Sequence, residues 1–276
     1  MVGFSVRAVR DSVARLAGMK IAAFDFDGTI LFDDGIAEDT LAAIHDWQAA
    51  GNLAVAATGK SLSATQFALR DYDLSFDYSA VFTGAVLTDQ RWDVLHRSTL
   101  DPAMVRRIVE HLSSIDGISV YGTMLGGRDV RFSSTINNEP PTSVLTDFLD
   151  MDIAEIDTLT GAQFVGVPVR IPDNEELRDR IHREISASYE VGCVVNQNFV
   201  DVLPVGASKG AGLDWLVDHL ALPREDVELI SFGDSWNDLS MHAVADRAFS
   251  FPWSPDAVKE ATGEVIGSVA EVLPRL

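Results

Sequence analysis

The stretch Lys20-Ile21-Ala22-Ala23-Phe24-Asp25-Phe26-Asp27-Gly28-Thr29 joins a short apolar run to two carboxylates and a glycine. Residues 20–24 have the length and character of a strand buried on both faces of a sheet. Asp25 and Asp27, at i and i+2 on the loop leaving that strand, can address one reaction centre. Gly28 beside them lets a bulky anion come close to the backbone. A solvated turn would also accept an Asp-x-Asp pair, so the weight of this reading rests on what the rest of the chain brings to the same place.

Two further runs, 53–57 and 228–232, also end where polar or glycine residues begin, and they read as parallel strands beside the first. Between the first two lies a helical pattern over 38–50, with Leu41, Ile44 and Trp47 at helical spacing and Gly51 as its stop. Strand, helix and strand form the seed of a doubly wound parallel α/β sheet, whose ligands sit beyond the carboxyl ends of the strands. From Leu87 to Asn198 the texture changes. Helices are expected over 102–113 and 175–187, strands over 118–121, 130–133, 164–171 and 192–196, and a break at Asn138-Glu139-Pro140-Pro141. We therefore expect a core domain of residues 19–86 and 199–276, an α/β cap domain inserted as residues 87–198, and an N-terminal extension over 1–18.

The 276 residues carry a formal charge of -21, which repels nucleic acid and anionic membrane surfaces alike. Neither is expected as a partner. No run of about 18 apolar residues is present, and Cys193 is the only cysteine. A reducing, cytoplasmic location is expected, with Cys193 a small buried residue.

Four loops hold the candidate chemistry. Asp25 and Asp27 end the first strand, Thr58-Gly59-Lys60 ends the second, Lys209-Gly210 opens a helix over 211–220, and Gly233-Asp234-Ser235-Trp236-Asn237-Asp238 ends the last strong strand. In a parallel sheet these ends share one edge. A carboxylate attacking a phosphate meets like-charge repulsion of roughly 5 kcal/mol per charge pair at about 3.5 Å and an effective dielectric near 20. A Mg²⁺ held by Asp25, Asp234 and Asp238 would offset it, because this ion takes hard oxygen ligands. Lys209 adds a point charge, and the Thr58 hydroxyl and loop amides add hydrogen bonds. Only four lysines occur against seventeen arginines, and two of the four, Lys60 and Lys209, lie in these loops.

Taken in order, Asp25-x-Asp27-Gly28-Thr29, Thr58-Gly59, Lys209-Gly210 and Gly233-Asp234-Ser235-x-Asn237-Asp238 resemble the four motifs of the haloacid dehalogenase-like (HAD) phosphatases. The insert resembles the large α/β cap of the Cof-like, type IIB members. The resemblance implies a Rossmann-like core and a Mg²⁺-dependent phosphatase acting on a small phosphorylated metabolite, with a sugar phosphate as the expected class. It implies Asp25 as the nucleophile that becomes an aspartyl-phosphate, and Asp27 as the acid and base whose backbone carbonyl also binds Mg²⁺. Thr58, Gly59, Lys209 and Asn237 would bind the phosphoryl group, with Asn237 supporting Lys209. Asp234 would ligate the metal, and Asp238 would ligate it or orient its shell. A monomer or homodimer is expected.

Departures from the family pattern, Lys60 after the second motif and Thr83-Gly84-Ala85 at the expected entrance to the cap, fall where substrate or loop packing would be tuned. Lys60 and the cap residues Arg128 and Arg131 are therefore candidate substrate contacts. A phosphomutase or a non-enzymatic phosphometabolite-binding protein would use the same fold, although the latter tends to lose the nucleophile or acid. Residues 54–61 nearly spell a nucleotide P-loop, but Ala54 replaces its first glycine and positions 54–57 read as strand. Thr58 could instead cap the helix beginning near Ser61. The six histidines show no metal spacing; His242 could line the site or pack structurally.

Overall fold

The computed structural model describes residues 18–137, 148–159, 161 and 163–276. The expected extension lies outside them except for Gly18, and so does the expected break at Asn138–Pro141. In chain order the elements are β1 (Met19–Phe24), α1 (Glu38–Ala49), β2 (Leu53–Ala57), α2 (Leu62–Leu69), β3 (Tyr78–Val81), β4 (Val86–Asp89) and β5 (Val94–Arg97). Then come α3 (Pro102–Leu112), β6 (Ser119–Leu125), β7 (Asp129–Ser134), β8 (Phe148–Asp150), β9 (Gln163–Arg170), α4 (Glu175–Ser188), β10 (Gly192–Asn196) and β11 (Phe199–Leu203). The chain closes with α5 (Lys209–His219), β12 (Val227–Phe232), α6 (Leu239–Val244), β13 (Arg247–Ser250), α7 (Asp256–Thr262), β14 (Glu264–Val265) and α8 (Val269–Val272).

Eight strands form the first sheet, in the order β14-β13-β12-β1-β2-β3-β4-β5, with β1 parallel to both β2 and β12. The period-2 geometry of β1 sorts its residues onto two faces. Ala22 and Phe24 pack with Trp47, Phe232 and Phe249 on one side, while Ile21 and Ala23 pack with Val55, Leu213 and Leu229 on the other. Phe24 stacks on Phe232 with ring centroids 5.2 Å apart. Helices therefore cover both faces, which leaves the strand ends as the place where polar residues can gather.

The second sheet, β10-β11-β9-β6-β7-β8, is antiparallel except for β7 beside β8. One face packs on α3 and α4 through Val105, Ile108, Val120, Val169, Ile181 and Val200. This is the expected α/β insert, with different limits. β4 pairs onto β3 and β5 onto β4 in the first sheet, so residues 87–97 belong to the core. β11 pairs with β9 and β10 in the second sheet, so the insert extends through Leu203 rather than stopping at Asn198. The physical reason is strand context. β5 is an exposed edge strand and carries no continuous apolar run, so only its partner identifies its sheet.

Thr83-Gly84 also belongs elsewhere than the cap entrance. It forms the tight turn between β3 and β4, with Thr83 N donating to Thr58 O at 3.0 Å. Gly84 lies at φ 83°, and a Cβ there would stand 2.0 Å from the Ser208 carbonyl oxygen. The turn thus packs directly against the start of α5.

Candidate active site

Asp25 continues the β1 ladder by one residue, its N–H donating to Phe232 O at 2.9 Å. That bond fixes the carboxylate at the sheet edge. Lys209, the first residue of α5, has no exposed surface and lies between two acids, with Nζ 2.5 Å from Asp25 Oδ1 and 2.6 Å from Asp238 Oδ1. The helix start is held by Ser208, whose Oγ accepts from Ala211 N. Asp238 accepts from Ser235 N at 2.8 Å through its second oxygen. Both oxygens of Asp238 are therefore engaged, and its visible work is to orient Lys209 and close the Ser235 turn.

Burial alone would lower the Lys209 ammonium, yet the Asp238 and Asp25 carboxylates outweigh it and raise its pKa. Burial lifts Asp25 to about 6 despite the opposing pull of Lys209. Asp234 rises to about 8, first through burial and then through the neighbouring Asp25 and Asp238 charges. One ammonium does not satisfy three clustered acids.

The donor set tests whether a cation fits. Oxygens of Asp25, Asp234 and Asp238 lie within 4.8 Å of one another, and Asp234 Oδ1 is buried with no hydrogen-bond partner. Gly28, at φ 85°, passes so close that a Cβ would stand 2.6 Å from Asp234 Oδ2. Hard oxygen donors, excess negative charge and an orphaned carboxylate oxygen suit a magnesium-like ion. Of the four expected metal residues, the carboxylates of Asp25, Asp234 and Asp238 converge, whereas Asp27 directs its own elsewhere.

Asp27 instead pairs with Lys60 at 2.8 Å. Burial raises the Asp27 carboxyl, and Lys60 partly offsets that rise. Lys60 is only 2% exposed. This departure, expected where substrate or loop packing would be tuned, places its ammonium on one of the two motif aspartates.

Thr58, Gly59, Lys60 and Asn237 join Asp25 and Asp27 around a cavity of about 20 Å³. Thr58 does not cap the following helix; Ser61 does, accepting from Ala64 N at 3.2 Å. Thr58 Oγ1 accepts from Lys60 N at 3.2 Å, bending the loop around the cavity. Asn237 is buried with its Oδ1 unpartnered, and the bonds that hold Lys209 come from Asp25 and Asp238.

Three wall residues come from the insert and were not anticipated: Asn196, Gln197 and Phe199. They sit at the two-residue turn joining β10 and β11, where Gln197 adopts φ 48°. Arg178, 7% exposed, donates to Gln197 O at 2.9 Å and stacks over Trp236 at 5.1 Å, tying the turn to the loop after β12. The available signal was two short apolar runs separated by Gln197-Asn198, a hairpin spacing. Deeper on the same strand, burial pushes Asp201 up to about 7.

Arg128 and Arg131 are not among the residues lining the cavity. Arg131 pairs with Asp150 at 2.7 Å and lies 4.9 Å over Phe148, and Arg128 is exposed beside the turn between β6 and β7. His242 has the structural role: Nδ1 bonds Ser231 Oγ at 2.8 Å, and burial lowers it to about 4. Cys193 is free and half-buried, its thiol raised by burial to about 11.

A doubly wound core with this edge of aspartates, lysine and threonine under an inserted α/β sheet defines a class of hydrolase. The sequence model of the haloacid dehalogenase-like hydrolases matches residues 22–272, and the chain belongs to that family. Among solved structures, a haloacid dehalogenase-like hydrolase from B. subtilis is 20% identical with a TM-score of 0.81, covering 94% of this chain and 100% of its own. The HAD subclass IIB sugar phosphatase BT4131 is 20% identical at a TM-score of 0.74, with 93% and 98% covered. A HAD/COF-like hydrolase from Plasmodium vivax is 16% identical at 0.75, with 94% and 95% covered. At these identities the likeness is one of fold. No helix among the described residues is long and apolar enough to cross a membrane.

Proposed function

We propose that this protein is a Mg²⁺-dependent phosphatase that hydrolyses a small phosphorylated metabolite through an aspartyl-phosphate on Asp25. The observation that carries the reading is the buried Lys209 clamped between Asp25 and Asp238 beside a carboxylate oxygen of Asp234 that has no partner. Asp25 attacks phosphorus, the bond to the leaving oxygen breaks, and Asp27 delivers its proton to that oxygen. Asp27 then takes a proton from the water that attacks the aspartyl-phosphate, releasing phosphate and restoring Asp25. Lys209, held by Asp238, offsets the repulsion between Asp25 and the phosphate, while Thr58, Gly59 and Asn237 cradle its oxygens. Asp25 and Asp234, with the Asp27 carbonyl, would hold Mg²⁺, which supplies positive charge to the phosphate oxygens when bound. The turn bearing Asn196 and Gln197 excludes bulk water.

The sugar-phosphate class is in keeping with the structural neighbour described as a sugar phosphatase, and a reducing cytoplasm suits the single cysteine. Phosphate release from a panel of phosphomonoesters should require Mg²⁺, stop on chelation and be lost in Asp25→Asn. Equal release by Asp25→Asn and the parent protein would overturn the reading.

A further inference from the structure

The cavity over Asp25 has a volume of about 20 Å³, little more than a water requires. Space over Asp25 is therefore too small for the alcohol that a phosphoryl group would leave behind. That alcohol must depart on the side of Asp27, the residue that protonates its oxygen. A second cavity of about 710 Å³ opens there and shares three walls with the first, Asp27, Lys60 and Gln197. Its size is that of a small-molecule site.

Two aromatic rings line this second cavity, Phe32 from the loop after Asp27 and Phe67 from α2. They are 42% and 57% exposed. Both are held in place from outside the cleft. Phe32 meets Trp253 edge-on at 5.7 Å, and Trp253 Nε1 donates to Gly28 O at 2.9 Å, which anchors the ring to the loop that carries Asp27. The Arg70 guanidinium lies 3.4 Å from the Phe67 centroid. Leu31, Ala64 and Ala68 complete an apolar floor. Exposed aromatics braced in this way, next to a reacting group, form a platform for the face of a ring.

Charge narrows the class further. Asp33 and Asp34 stand exposed at the same cleft, and Lys60 is its one cation among the described residues, already bonded to Asp27. A second anionic group on the leaving alcohol would meet carboxylates with no cation left to receive it.

We propose that this cleft is the leaving-group subsite, and that it selects monophosphates whose alcohol carries a ring with an apolar face and no further negative charge. The inference rests on the phosphatase reading above and assigns its substrate specificity to Phe32, Phe67, Asp33 and Asp34.

Benzyl phosphate, ethyl phosphate and 2-phosphoglycolate test it, because all three release a primary alcohol and differ chiefly in what the cleft must accommodate. With Mg²⁺ and the full chain, kcat/KM should fall in that order. Phe67→Ala should lower kcat/KM for benzyl phosphate about tenfold more than for ethyl phosphate, chiefly through KM, as expected for a lost ring contact. The double change Asp33→Asn with Asp34→Asn should narrow the gap between ethyl phosphate and 2-phosphoglycolate. Hydrolysis of ethyl and benzyl phosphate at similar efficiency, or equal losses on both in Phe67→Ala, would overturn this assignment alone. No phosphate release from any of the three esters, nor from the acyl phosphate acetyl phosphate, would overturn the phosphatase reading and this proposal with it.

Discussion

The two sheets meet at one small cavity and contribute to it in opposite ways. From the parallel sheet come charged residues at strand ends, each held by bonds that reach back into the core: Asp25 through the β1 ladder, Lys209 through Asp25 and Asp238. From the antiparallel sheet comes a hairpin tip, Asn196 and Gln197, held by Arg178 from α4. The first is a buried electrostatic framework, and the second is a cover tied to it through Arg178 and Trp236. If this division of labour is right, changes to the framework should act on kcat and stability, whereas changes to the cover should act on substrate binding.

The largest effect should come from Asp25→Asn. Loss of the nucleophile should lower kcat by about 10⁴-fold or more, measured as Mg²⁺-dependent phosphate release. Residual activity within about tenfold of the parent would break the comparison at its base.

Lys209→Met comes next, because it removes the cation shared by Asp25 and Asp238. Breaking a buried charge cluster by deleting one partner costs about 3–5 kcal/mol. We expect a loss of that order in urea denaturation of the metal-free protein, with activity falling in parallel. A variant as stable as the parent would show that the acids do not depend on the lysine.

The third prediction concerns pH. In the unfolded chain a carboxyl such as Asp234 titrates near 3.8, and in the fold it titrates at about 8. Between these values the folded state binds the extra proton, so this group's contribution to stability falls as pH rises from about 4 to about 8. A divalent cation must displace that proton. The rise in Tm caused by Mg²⁺ should therefore be larger above pH 8 than at about pH 5, and Asp234→Asn should shrink the difference. An equal rise at both pH values would separate the metal from Asp234.

Smaller effects belong to the cover. Arg178→Ala removes the bond to Gln197 O and the stack on Trp236, and should raise KM by about tenfold through loss of orientation while changing kcat less. A drop confined to kcat would place the hairpin in the framework instead. Smallest of all, Arg131→Ala breaks a surface pair with Asp150 and should cost less than about 1 kcal/mol, with less than about a twofold change in kcat/KM.

The framework was legible because a parallel sheet imposes its own punctuation. Apolar runs such as Ile21–Phe24 and Leu229–Phe232 must be buried on both faces, and the polar residues that follow must lie at one edge. β1, β2 and β12 were therefore readable almost to the residue. The antiparallel pieces were not. β4 and β5 were assigned to the insert and β11 to the core, because short strands with one exposed face take their sheet from their partners. Lys60 illustrates the same limit for a site. Its loop was identified, but the bond to Asp27 depends on how two strand ends are spaced in the sheet.

By itself the sequence determined which residues gather at the sheet edge, since order along the chain suffices once strand ends must converge. Asp25, Thr58, Lys209 and Asp234 meet for that reason. Only the tertiary structure decided the pairings, that Asp238 holds Lys209, that Lys60 holds Asp27 and that Gln197 and Phe67 come to line one cleft. Those choices depend on side-chain reach across elements far apart in the chain, where a shift of an ångström exchanges one partner for another.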